Sequence, residues 1–267
     1  MIHIGTGFDV RARLFFVEEM GSMHSVIAER IKLKYSPVVV LFTDQKPEGA
    51  LEYVPGRWGC VTAMLTAAAK GRTAVFSKET CTCGGGRIGL GLDTDFGEGF
   101  EYFLSTGNPD LPAVAGIAEP EGFKKTPALA KAWIDETPIR QIKEKYVVFK
   151  PLTEVAGNES PQIVIFYANP DQLTALVVLA NYGRPSSDNV IVPFASGCMT
   201  ACLYAYAEMD KEQPKAVIGL TDVSARPFID ADLLSFSVPY NMFQEMESNV
   251  PGSFLEKEEW KRVCKRI

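Results

Sequence analysis

Ser36–Asp44 reads SPVVVLFTD, and Ser160–Ala168 reads SPQIVIFYA. The first is a short, apolar, β-branched run with turn-forming residues on both sides, the pattern of a buried strand. The second repeats it. Stretches further along each half also correspond: WGCVTAMLTAAAKG with SGCMTACLYAYAEM, TAVFS with KAVIGL, and FEYFLS with PYNMFQEM. In both halves a Gly-Cys pair opens a helix rich in alanine and other small residues. The pattern predicts an α/β fold, with α+β as its near neighbour: a mixed sheet flanked by helices. Two pseudo-equivalent halves, 36–106 and 160–250, would meet about a pseudo-two-fold axis, with Cys60 and Cys198 on facing helix starts. Residues 1–267 are read as one domain, closed by a charged helix over 254–267.

The other elements are read from periodicity. Apolar residues at three- and four-residue intervals from Asp9 to Lys34 predict one helix, or two broken near Gly21-Ser22. The alanine-rich helix after Cys60 stops at Gly71, where a C-terminal glycine belongs. Helices are expected over 98–105 and 127–136, and a strand over KYVVFKPL. NPDQLTALVVLANYG reads as a helix with Asn at its start and Gly at its end, and DNVIVPFA as a strand. The segment containing FSVPYNMFQEM is left unassigned.

Composition removes several function classes. The chain of 267 residues is 46% apolar and 22% charged, as in ordinary soluble proteins, with a formal net charge of -6. A nucleic-acid surface needs concentrated Lys and Arg, so none is expected. No apolar stretch approaches the roughly 20 residues that span a bilayer, and the first residues lack a secretion signal. The expectation is a cytoplasmic protein acting on a small molecule or a redox partner; no feature of the sequence sets an oligomeric state.

The chemistry lies in the six cysteines, Cys60, Cys81, Cys83, Cys198, Cys202 and Cys264. Without an export signal they read as free or metal-bound thiols. Cys60 and Cys198 stand at helix starts, where unpaired N–H groups and the helix dipole favour a thiolate. Cys81 and Cys83 form a C-x-C pair; in extended backbone both side chains point the same way. The next three residues, Gly84, Gly85 and Gly86, free backbone N–H groups to point at sulfur or at an anion. Cys60, Cys81, Cys83 and Cys198 are four thiolates, the number an iron–sulfur cluster or a four-cysteine zinc site takes, with Cys202 one helical turn from Cys198 as an alternative fourth. The glycine run fits no nucleotide-binding fingerprint. Arg57 and Arg226 are candidates for a bidentate contact to a carboxylate or phosphate. Asp93 and Asp95 read as a solvated loop, and His3 and His24 are assigned no catalytic role.

The stretches LKYSPVVVLF, RWGCVTAMLTAAAKGRTAVFS, CTCGGGRIGLGL, NPDQLTALVVLANY and SARPFIDADLLSFSVPYNMF together resemble a prokaryotic family, domain of unknown function 169. The resemblance spans about residues 24 to 250. It implies marked positions at Cys60, Cys83, Gly84, Gly85, Gly89, Leu90, Gly91, Cys198, Arg226 and Pro239.

The first reading is a cysteine/glycine-rich site that binds an iron–sulfur cluster or another thiolate-ligated metal, for redox chemistry or for a small anionic substrate. Two other readings use the same residues. One is a non-catalytic anion-binding or regulatory module with structural cysteines; the other is a metal-free thiol enzyme using Cys83 or Cys60. The site should be asymmetric, the first half supplying sulfur and the loop TDVSARPFID of the second supplying Arg226.

Overall fold

The run that begins at Val38 is extended, as its β-branched side chains favour, and it forms β1 (Val38–Thr43) at the middle of a sheet. In the computed structural model, which describes residues 23–108 and 119–267, the remaining strands are β2 (Ala74–Phe76), β3 (Tyr146–Pro151), β4 (Ile163–Ala168), β5 (Val190–Ile191), β6 (Ala216–Gly219) and β7 (Leu234–Pro239). Their order across the sheet is β2-β3-β1-β4-β7-β6-β5. Every pairing is antiparallel except β5 with β6, so the sheet is mixed.

The order reads alike in both directions from the β1–β4 contact: β1, β3, β2 on one side and β4, β7, β6 on the other. Register keeps the correspondence, since Val38 pairs with Pro151 as Ile163 pairs with Pro239. Val39 lies opposite Val164, where the two-fold relation would pass. This frame sets Val38 against Ile163, one residue away from alignment on the two Ser-Pro pairs. The shift has a physical reason, because side chains alternate faces along a strand. Val38, Val40, Ile163 and Ile165 face one side of the sheet, and Val39, Leu41, Val164 and Phe166 the other. By strand order β3 is the partner of β7, so the first set of strands runs on to residue 151. The helix after β7 corresponds in position to the turn after β3, not to FEYFLS.

Helices cover both faces. On one side lie α1 (Val26–Arg30), α6 (Pro170–Tyr182), α8 (Tyr240–Ser248) and α9 (Glu258–Val263). Asn169 caps α6, its side chain accepting from the Gln172 N–H while Gln172 caps in return. The opposite face carries α2 (Val61–Ala69), α3 (Gly84–Gly89), a π-helical turn (Met199–Leu203) and α7 (Tyr204–Glu208). Beyond them pack α4 (Phe100–Phe103) and α5 (Pro127–Glu136). The architecture is α/β, three layers with every cysteine but Cys264 on one side of the sheet. The expected helix from Asp9 lies outside the described residues up to position 22; its remainder is α1, ended by Lys32 at φ 52°.

Three stretches differ from their sequence reading. The Cys-Gly segment contains a helix, α3, rather than an open loop. DNVIVPFA contributes only the two residues of β5. The unassigned FSVPYNMF provides most of β7 and the start of α8; Ser235 and Ser237 of β7 are buried on the face opposite Phe236 and Val238.

Candidate functional site

Three of the cysteines sit where helices begin on the same face. Cys60 is the N-cap of α2, and Cys83 is the N-cap of α3. Cys198 lies in the first helical residues, Gly197 and Cys198, before the π-helical turn. All three line one pocket of about 490 Å³. It lies over the α2, α3 and α7 layer, with Thr62, Gly84, Gly85, Ser196, Glu121 and Asp222 also on its walls.

The glycines of α3 serve two purposes. A side chain at Gly89 would lie 2.9 Å from the Met199 backbone N and 3.1 Å from Cys198 Sγ. One at Gly86 would lie 2.9 Å from Val61 and 3.1 Å from Cys81 Sγ. Both let α3 pack directly against its neighbours. Triple glycine is a poor helix former, so this packing, and not propensity, holds the helix. Gly85 and Gly86 also send backbone N–H groups to the Cys83 sulfur, which favours its charged form. The Cys198 thiol is 3.3 Å from both Gly85 O, to which it donates, and Ser196 Oγ.

Thiol electrostatics separate a group of four from the rest. Burial, then the charge of Cys83, pushes the Cys81 thiol up to about 12, with Cys60 contributing as well. Burial also raises Cys83, against the pull of the two amides and with help from Cys60. Cys198 is raised first by burial, then by Cys83, Cys81 and Cys60. Ionisation of Cys81, Cys83 and Cys198 is thus opposed by neighbouring sulfurs. Cys202 is raised by burial alone and sits within the apolar core. It shares a helix face with Cys198 in sequence, but the π-helical turn intervenes and it does not reach the pocket. Cys81 is 1% exposed and lies behind Cys83, so the C-x-C pair presents one sulfur to the pocket and one to the core. Cys264 stands apart near α9, its thiol on Arg30 O. Among the described residues no group of three or more His, Cys, Asp and Glu side chains is gathered as the ligand set of a metal ion.

Gly86 is buried and does not line the pocket. Arg226 donates to Leu233 O at 2.5 Å and to Ala231 O at 2.6 Å, so its guanidinium pins its own loop. Arg57 is exposed; its carbonyl accepts from Thr82. Neither arginine is among the pocket walls. Asp93 pairs with Lys78 at 3.0 Å, Asp95 accepts from the Gly97 N–H, and His24 pairs at the surface with Glu29. His3 lies outside the described residues.

The loop after β6 does reach the pocket, but through Asp222. Its Oδ2 accepts from the Gly197 N–H at 2.9 Å, and its Oδ1 from the N–H and hydroxyl of Ser224. It thus caps the helix that carries Cys198. In the strand correspondence β6 matches β2, so Asp222 sits in the loop that corresponds to the one carrying the C-x-C pair; the residue was present in TDVSARPFID. Glu121 had none, because its own stretch of chain carries no motif. Burial, with Asp222 adding to it, lifts its carboxyl to about 7.

Fold and site together define an α/β protein whose mixed sheet supports a thiol-lined pocket on one face. The chain belongs to domain of unknown function 169, described as uncharacterised ArCR, whose family model matches residues 26–249. No curated protein and no solved structure matches the chain. No helix among the described residues is long and apolar enough to cross a membrane.

Proposed function

We propose that this pocket binds an iron–sulfur cluster, or another thiolate-ligated metal group, through Cys60, Cys83 and Cys198 on its walls, with Cys81, on the core side of Cys83, closing the set from beneath. The observation that carries the reading is that thiols from three separated segments, Cys60, Cys83 and Cys198, line one pocket, with Cys81 buried two residues before Cys83. Buried thiols that resist ionisation need a cation to become thiolates, and a soft metal supplies it. A cluster takes a thiolate at each iron, so its ligands stand further apart than those of a single ion. The Gly85 and Gly86 amides aimed at Cys83 are the hydrogen bonds that tune such sulfurs. Bound there, a cluster supplies one-electron transfer, and the six free cysteines suit a reducing, cytoplasmic setting.

The anionic substrate loses its support, because Arg226 and Arg57 face elsewhere. A metal-free nucleophile at Cys83 is opposed by burial, which raises its thiol. The test is anaerobic purification and then reconstitution with iron and sulfide. The reading predicts brown protein absorbing near ~400 nm, with iron and sulfide bound. Colourless, metal-free protein after reconstitution would overturn it.

A further inference from the structure

The pocket above the cysteines is built for a particular kind of occupant. Its outer walls are aromatic: Trp58, Phe96, Phe100, Phe123, Trp133 and Phe194. They come from separate segments and are tied together. Phe96 stacks on Phe100 with ring centroids 4.7 Å apart, Trp133 lies 5.8 Å from Phe194, and Trp133 Nε1 donates to Phe194 O at 2.9 Å. Trp58 is 58% exposed and Phe194 42% exposed, so apolar ring surface stands open at the mouth. Rings of this kind accept flat apolar groups by stacking, and cations over their faces. Phe194 already illustrates the second, with Lys124 Nζ 4.7 Å over its centroid.

Charge selects further. The walls include two carboxylates, Glu121 and Asp222, and no Lys or Arg. Both Asp222 oxygens are engaged by Gly197 and Ser224. The Glu121 carboxylate has no hydrogen-bond partner among the described residues. Lys124 stands outside the walls, over the Phe194 ring; within them an anion would face carboxylates, whereas a positive or hydrogen-donating group would meet Glu121.

We infer that the pocket takes a small organic molecule with a flat apolar body, held between the aromatic walls, and a cationic hydrogen-bond donor directed at Glu121. This deepens the proposed function, resting on the reading that the pocket is the functional site, and it names the class of molecule that would lie beside the thiols.

The test compares three probes that share one ring system and differ in charge: 1-naphthylmethylammonium, 1-naphthylmethanol and 1-naphthylacetate. Their binding to the full chain, purified anaerobically, is titrated by ligand-observed NMR. The ammonium should bind about ten-fold or more tighter than the carboxylate, about 1.4 kcal/mol, with the alcohol between. Glu121→Gln should bring the ammonium down to the alcohol, and Trp133→Phe should keep the order. Equal or tighter binding of the carboxylate would overturn the inference, as would saturable binding of none of the three to the wild type. Reconstitution of the wild type alongside this titration separates the two readings. Charge selection in wild-type protein that takes up no iron or sulfide supports the pocket inference while the cluster reading fails, and a loaded cluster without charge selection does the reverse.

Discussion

At the scale of single residues, Glu121 carries the clearest consequence. Its carboxyl is lifted from 4.5 to about 7, first by burial and then by Asp222. A carboxyl raised in the folded state favours the protonated form. Its contribution to stability is therefore complete below the unfolded value and is lost as pH rises through about 7. Glu121→Gln removes the ionisation, so the variant should gain in melting temperature over the wild type between about pH 5 and about pH 8. A constant difference across that range would contradict the assignment. The cysteines show what one sequence discloses at this scale. Cys60 and Cys198 were legible because each follows a glycine at a helix start. The division of labour within the C-x-C pair was not, because it depends on where α3 turns after Cys83. Arg226 misled for a related reason: its guanidinium is occupied by Ala231 and Leu233 carbonyls that only the folded loop brings round.

At the scale of elements, α3 and the π-helical turn hold the site together. Gly89 stands against the Met199 backbone, which cannot yield as a side chain tip can. Gly89→Ala should cost about 1–3 kcal/mol of stability by overpacking, more than the roughly 1 kcal/mol that helix propensity returns. Gly84→Ala meets nothing within 4 Å, so it should be neutral or gain up to about 1 kcal/mol. Urea denaturation of the two variants checks the contrast, and equal effects would show that α3 does not pack as described. Elements with their own local signals were readable: α5 and α6 carry Thr126 and Asn169 as caps and proline in the first turn. Those defined by packing were not. Three glycines disguise α3, and a π-helical turn differs from an α-helix only by its hydrogen-bond shift. In β7 the alternation of Leu234, Phe236 and Val238 with serine is a strand signal, but it reads as a strand with one solvated face, whereas Ser235 and Ser237 are buried as well.

At the scale of the molecule, the sheet is organised outward from β1 and β4, whose correspondence was visible in two stretches of sequence well separated along the chain. Strands β3 and β7 complete the centre, and β5 is a two-residue edge. Hydrogen exchange should find the slowest amides in β1, β3, β4 and β7 and the fastest strand amides in β5; a β5 as protected as β1 would contradict this order. The symmetry is of scaffold only. One half brings Cys83 to the pocket, and the other brings Asp222, to cap the helix start that holds Cys198. The central claim is that four particular thiols form one binding site, and metal content measures it directly. Iron and sulfide per chain should be determined after identical anaerobic reconstitution of the wild type and the serine variants of Cys81, Cys83, Cys198 and Cys202. The account predicts that Cys202→Ser retains the wild-type content while Cys83→Ser and Cys198→Ser lose it and Cys81→Ser binds less. Full loading of Cys83→Ser, or loss confined to Cys202→Ser, would contradict it.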